Sequence, residues 1–306
     1  MPKGLVLKST GSWYLVQTGE RLIDCRIKGK FRTKGIRTTN PVAVGDRVFW
    51  QEEESEKGII VDIEPRENYI IRRSINLSKE SHIIAANIDQ AMLLVTMAAP
   101  QTSTGFIDRF LVTAEAYRIP VHLVFNKMDS YSNEQVMQVK QWSARYEKVG
   151  YPCHQISALK PETLDTIETL TSGKTTLLSG HSGVGKSTLI NSLEDASLRT
   201  SPVSDTHQKG KHTTTFAEMI PLKTGGYLID TPGIKGFGII DIEKHELAHF
   251  FPEMRERMNH CKFNNCVHVN EPGCAIKEAV AEGEIPMERY ENYLNLYLDE
   301  EDQAYR

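Results

Sequence analysis

No long apolar run interrupts this chain of 306 residues. The longest, Ala91–Ala99, covers about nine residues, roughly half of what a bilayer crossing needs. The opening Met1-Pro2-Lys3-Gly4 carries no apolar stretch of the kind a secretory signal requires. Cysteine is scarce and odd in number: of five, three fall between Cys261 and Cys274, which is no disulfide framework. Internal repeats and low-complexity blocks are also missing. Hydrophobic residues make up 40% and charged residues 25%, an ordinary globular composition that excludes disordered and fibrous classes. The expectation is a soluble, cytoplasmic protein with more than one domain, since one domain accounts for ~150 residues.

The net charge of −4 conceals an asymmetry. Residues 1–50 hold ten Lys/Arg against three Asp/Glu, and the remainder hold 26 against 37. A basic head on an acidic body points to a polyanionic partner for the head alone. Within it Arg26, Lys28, Lys30, Arg32 and Lys34 recur at every second residue, with Arg37 just beyond. In a strand these cations share one face while Ile27 and Phe31 take the other. On a barrel such a stripe can follow a phosphate backbone; the plainer alternative is a solvated hairpin face. Trp13, Tyr14 and Trp50 are either stacking partners for bases or core.

From Leu5 to Tyr69 the pattern is one of short strands, at Ser12–Gln17, Arg21–Ile27, Asp46–Trp50 and Gly58–Ile63, separated by turn residues. This predicts a small β-barrel. Ser74–Ile88 reads as a linker. From Gln90 strands and helices alternate. Strands are expected at Gln90–Met97, Val121–Phe125, Pro152–Ile156, Thr175–Leu178, Phe216–Ile220 and Tyr227–Ile229. Helices are expected at Phe106–Tyr117, Asn133–Val149, Glu162–Leu170 and Lys186–Leu193. That alternation predicts a mainly parallel sheet with helices on both faces. Beyond Ile240 the chain is helical and polar around a Cys/His cluster.

Gly180-His181-Ser182-Gly183-Val184-Gly185-Lys186-Ser187, followed by Thr188, has the form G-x-x-x-x-G-K-S between an expected strand and helix. The glycines let backbone N–H groups face an anion, and the helix N-terminus adds its positive end. Lys186 is the candidate for the β/γ-phosphates and Ser187 for Mg²⁺. Asn126-Lys127-Met128-Asp129 has the form N-K-x-D. Asp129 can accept two hydrogen bonds from one edge of guanine, a pair of donors that adenine cannot supply. The Lys127 stem would lie over the base, and Asn126 would tie the loop down. Ser157-Ala158, at the next strand end, could offer a backbone N–H to the base oxygen. Asp230-Thr231-Pro232-Gly233 follows another strand, with Asp230 placed for Mg²⁺ and the Gly233 N–H for the γ-phosphate. Between these motifs His212-Thr213-Thr214-Thr215 offers three hydroxyls, of which Thr214 is the Mg²⁺ candidate; three threonines also suit a surface run. The position after Gly233 is Ile234, which cannot orient a water, so slow intrinsic hydrolysis is expected, with His212 as the candidate water-positioning group.

Cys261, Cys266, His268 and Cys274 supply three thiolates and one imidazole within 14 residues. That set suits tetrahedral Zn²⁺ with no open position, a structural site. His260 falls outside it, and Cys25 and Cys153 read as core.

In chain order the motifs run N-K-x-D, S-A, P-loop, threonine loop, D-T-P-G, and the chain thus resembles P-loop GTPases in circularly permuted form. Each loop still follows its own strand, so chain order is immaterial, with Thr171–Lys174 bridging the original termini. Together with the barrel and the C-terminal cysteines, this order resembles the family of ribosome small subunit-dependent GTPases (RsgA, also called YjeQ) along essentially the whole chain. The resemblance implies an oligonucleotide-binding (OB-fold) barrel at 1–72, a permuted G domain at 73–240 and a zinc-binding helical domain at 241–306. It implies GTP with Mg²⁺, one structural Zn²⁺, and the small ribosomal subunit with its rRNA as partner. It further implies a role in late subunit maturation, with the subunit stimulating hydrolysis by a monomeric chain. The rival reading is a nucleotide-gated RNA-binding assembly factor with incidental hydrolysis; a metabolic P-loop kinase fits the guanine motifs poorly.

Overall fold

The computed structural model describes residues 1–27, 41–53, 57–73, 81–194, 217–230 and 242–298. Five strands open the chain: β1 (Lys3–Ser9), β2 (Tyr14–Thr18), β3 (Arg21–Ile27), β4 (Arg47–Glu52) and β5 (Gly58–Ile63). β1 pairs with β2 and β4, β3 with β2 and β5, and β4 with β5, which closes the barrel. Alternate residues Tyr14, Val16, Ile23 and Cys25 point inward with Trp50 and Ile60, as a period of two requires. Tyr14 and Trp50 are therefore core, whereas Trp13 is only half-buried.

The linker reading of Ser74–Ile88 needs correction. Strand β6 (Tyr69–Arg73) pairs antiparallel with β7 (Ser81–Ala86), a hairpin that straddles residues 72 and 73. Its apolar residues Ile70, Ile83 and Ala85 are buried, and the Ala86 N–H donates to the Val44 carbonyl at 2.9 Å. Burial of alternate small apolar residues, which the polar flanks disguised, makes this a strand.

The central sheet comprises β8 (Gln90–Val95), β9 (Val121–Phe125), β10 (Cys153–Gln155), β11 (Thr175–Ser179), β12 (Glu218–Pro221) and β13 (Tyr227–Asp230). Its order is β10-β9-β8-β11-β13-β12, parallel except for β12. All six residues of β8 are buried, as befits a strand covered on both faces. Helices α1 (Thr104–Ala116) and α2 (Asn133–Lys148) pack with Leu93, Val95 and Phe125 on one side. Helices α3 (Asp165–Thr171) and α4 (Lys186–Leu193) pack with Met92, Leu94 and Val124 on the other. The helix expected at Glu162–Leu170 starts late. Pro161 opens a short 3₁₀ turn through Thr163, whose hydroxyl donates to the Ser157 and Lys160 carbonyls.

Barrel and central sheet are continuous: β1 pairs with β12 at Lys8 and Glu218, whose side chains approach to 3.5 Å. The Tyr227 hydroxyl donates to Gln17 Oε1 across the seam at 2.8 Å. The C-terminal part holds α5 (Pro252–Arg255), α6 (Ala275–Ala281) and α7 (Met287–Leu298). It docks on α1 through Arg289, which is fully buried. The Arg289 guanidinium donates to both Glu253 oxygens at 2.7 and 3.0 Å and to Asp108 Oδ1 at 2.6 Å. It also lies 4.7 Å from the Phe251 ring centre. Burial opposes its charge, but the two carboxylates outweigh burial and hold the guanidinium protonated. Among the described residues no helix is long and apolar enough to cross a membrane.

Removing one member of such a network strands the others in the interior. Arg289→Ala should lower unfolding stability by about 3–5 kcal/mol in a denaturant titration. A loss under about 1 kcal/mol would show that the network does not hold the C-terminal helices to α1.

Candidate functional site

The phosphate loop leaves the carboxyl end of β11 and enters α4. Its glycines are required by geometry. Gly185 has φ +104°, and a Cβ there would sit 2.3 Å from Asn126 Nδ2; Gly180 has φ +143°, and a Cβ there would sit 2.7 Å from the Leu94 carbonyl oxygen. Val184 is buried beneath the loop, while Ser182, Gly183 and Ser187 are exposed on it. Lys186 Nζ donates to the carbonyls of Gly180 at 2.6 Å and His181 at 2.9 Å. Burial pushes its ammonium below the ordinary lysine value, and the nearby Asp230 carboxylate works the other way. Asp230 ends β13, the neighbour of β11, and pairs in register with Leu178. Ser187 and Asp230 thus stand at adjacent element ends, an oxygen set that suits Mg²⁺ held with a nucleotide.

Asn126 joins the loops. Its buried side chain donates to the Val184 carbonyl at 2.8 Å and accepts from the Ala158 N–H at 2.9 Å. Lys127, at φ +68°, places its ammonium on the carbonyls of Gly183 at 2.7 Å and Ala99 at 2.6 Å. Asp129 gives its backbone N–H to Ser157 Oγ at 3.0 Å and leaves its carboxylate exposed beside the loop. Ser157 N–H donates to Thr163 Oγ1 at 3.0 Å and Ala158 N–H to Asn126 Oδ1, so this pair anchors the loop. Sequence reasoning missed Tyr131, whose hydroxyl donates to the Asn126 carbonyl at 2.5 Å and accepts from the Met97 N–H at 2.9 Å. It also missed Phe106, stacked on His181 with ring centres 3.8 Å apart. Tyr131 follows the motif by two residues, a local clue; Phe106 left none.

Gly233, His212 and Thr214 lie outside the described residues, as do Lys28, Lys30, Arg32, Lys34 and Arg37. Of the cationic stripe, Arg26 is described: it is exposed, with its guanidinium 4.1 Å from the Trp13 ring centre. Lys57 approaches the same ring at 5.0 Å.

The donor atoms of Cys261, Cys266, His268 and Cys274 all lie within 4.8 Å of one another. His268 Nδ1 is 3.6 Å from Cys261 Sγ and 3.4 Å from Cys274 Sγ. Burial pushes the Cys266 thiol up to about 12. Glu271 shapes this loop by accepting from the N–H groups of Val267, Val269 and Asn270 at 2.9–3.1 Å. Tyr290 and Tyr293 of α7 donate to the His268 and Val267 carbonyls, each at 2.7 Å. The cluster can hold a metal ion. His260 stands outside it, Cys25 is buried in the barrel and Cys153 is half-buried.

The profile of the RsgA GTPase family matches residues 63–240, and that of the RsgA N-terminal domain matches residues 3–60. The chain is 54% identical over 306 residues to the small ribosomal subunit biogenesis GTPase RsgA of Bacteroides fragilis strain YCH46, covering 99% of both proteins. It is 55% identical to the protein of that name from Phocaeicola vulgatus, again over 99% of both. The crystal structure of YjeQ from Thermotoga maritima superposes with a TM-score of 0.78 at 34% identity, covering 97% of each chain. That of YloQ, described as a circularly permuted GTPase, superposes with a TM-score of 0.74 at 32% identity over 97% of this chain and 94% of that one. Full-length likeness, the permuted motif order and the loop geometry agree, and the chain belongs to the RsgA family of circularly permuted GTPases.

Proposed function

We propose that this chain hydrolyses GTP in the cytoplasm under stimulation by the small ribosomal subunit, on which it acts late in maturation. The observation that carries the reading is the Asn126 amide, which draws the base-reading loop, the S-A loop and the phosphate loop into one site. The relatives named for small-subunit biogenesis support the partner, because their likeness runs the full length of the chain.

In this reading Asp129 accepts from guanine, and the loop N–H groups from His181 to Ser187 cradle the phosphates. Thr188 follows in the first turn of α4. Lys186 moves its ammonium from the loop carbonyls to the β/γ-phosphate oxygens, where it offsets developing charge. Ser187, Asp230 and Thr214 hold the Mg²⁺ that accompanies GTP, and Gly233 meets the γ-phosphate. Ile234 leaves the attacking water unoriented, and the subunit brings His212 to that task. Arg26, Lys28, Lys30, Arg32, Lys34 and Arg37 contact rRNA, with Arg26 presented on the Trp13 ring.

Zinc is the metal we assign to the cysteine cluster. Bond lengths of about 2.3 Å to sulfur and 2.0 Å to nitrogen set a tetrahedral S···N edge of about 3.5 Å. Two of the three edges from His268 Nδ1, those to Cys274 and Cys261, are 3.4 and 3.6 Å. Four protein ligands leave no open position, so the ion would hold the loop in shape.

Two measurements test these assignments. GTP turnover at saturating nucleotide should rise about a hundredfold or more on adding small subunits, the scale a positioned hydrogen-bonding group supplies. Nucleotide-dependent subunit binding without a rise in turnover would favour the incidental-hydrolysis reading. Elemental analysis should find one zinc per chain, lost in Cys274→Ser; zinc retained in that variant would remove Cys274 from the ligand set.

A further inference from the structure

We infer that Phe106 is a positioning residue for the phosphate loop, and that the C-terminal helix α7 reaches that loop through it. The inference rests on the nucleotide reading above and adds a part of the fold that none of the sequence motifs contains. The Phe106 ring lies on the His181 imidazole with centres 3.8 Å apart and planes inclined by 31°. His181 is the second residue of the loop, and its carbonyl is one of the two that Lys186 Nζ contacts. A shift of His181 therefore shifts the backbone and the lysine that meet the phosphates.

The segment leading into α1 makes a second tie. The Lys127 ammonium bridges the Ala99 and Gly183 carbonyls, and a Cβ on Gly183 would lie 3.4 Å from Pro100 Cδ. Two residues beyond Phe106 comes Asp108, about 200° further round the helix and so on its opposite face. Asp108 is fully buried and accepts from Arg289 at 2.6 Å, Asn292 at 2.6 Å and Tyr146 at 3.0 Å. Helix α1 is thus held between the phosphate loop on one face and α7 on the other. The same α7 carries the Tyr290 and Tyr293 hydroxyls that fix the metal-ligand loop. A continuous set of contacts runs from the cysteine cluster to the phosphate loop, every member of it within the described residues.

The contact sets loop geometry, which GDP and GTP share. Its loss should weaken both nucleotides equally and raise KM.

The test is a double-mutant cycle on the full chain, read by titration with fluorescent GDP and GTP analogues in the presence of Mg²⁺. Phe106→Ala should weaken both nucleotides about three- to tenfold, the range an aromatic pair supplies. Phe106→Leu, which keeps the apolar volume, should show the same loss, and Phe106→Tyr, which keeps the ring, should restore binding. In a His181→Ala background Phe106→Ala should cause no further loss. Asn292→Ala should weaken binding in the unaltered chain and have no effect once Phe106 is Ala. Unchanged binding in Phe106→Ala, full recovery in Phe106→Leu, or losses that multiply in the double variant would overturn the inference. Failure of the unaltered chain to bind either nucleotide would instead overturn the functional reading on which it rests.

Discussion

One buried amide sets the nucleotide site. Asn126 donates to the phosphate loop, accepts from the S-A loop, and has its own carbonyl held by Tyr131. Either half of the amide left unpaired in the interior would cost about 1–3 kcal/mol, so the three loops are held in one arrangement. The requirement for glycine at position 185 follows, since any Cβ there would strike this side chain. These bonds run across the sheet and not along the chain. That is why the permuted order is harmless: β9, β10 and β11 each deliver a loop at the carboxyl edge whatever their sequence order.

The same sheet ties nucleotide chemistry to the rest of the molecule. Its last strand, β12, would be an open edge if the barrel strand β1 did not pair with it. The basic barrel and the site therefore belong to one continuous sheet, sealed by Lys8–Glu218 and Tyr227–Gln17. On the other side, α1 carries the charged network that receives α7. Both flanking parts of the chain are joined to the nucleotide domain through its own secondary structure.

Much of this was legible in the sequence. Strands β3, β5 and β9 and helix α4 fall where hydrophobic period and turn residues place them, and the cysteine spacing names four side chains that the fold brings together. What could not be read depends on contacts between distant residues. Asp108 and Arg289 are 181 positions apart, and periodicity announces a buried face without naming what meets it. Phe106 and His181 are as unconnected in sequence as any two apolar residues. Strand β7 was hidden by the polar residues preceding it, and helix α3 was shortened by the Pro161 turn.

The central claim is that the site reads guanine through Asp129, held in place by the Asn126-centred loops. The most direct measurement compares GTP and xanthosine triphosphate binding to the unaltered chain and to Asp129→Asn. Xanthine replaces the 2-amino donor of guanine with an acceptor, which an amide can meet and a carboxylate cannot. The account predicts that Asp129→Asn loses GTP and gains xanthosine triphosphate, each by about a hundredfold or more, the scale on which an unpaired buried group discriminates. GTP affinity unchanged in the variant would contradict it, because the base would then be read elsewhere.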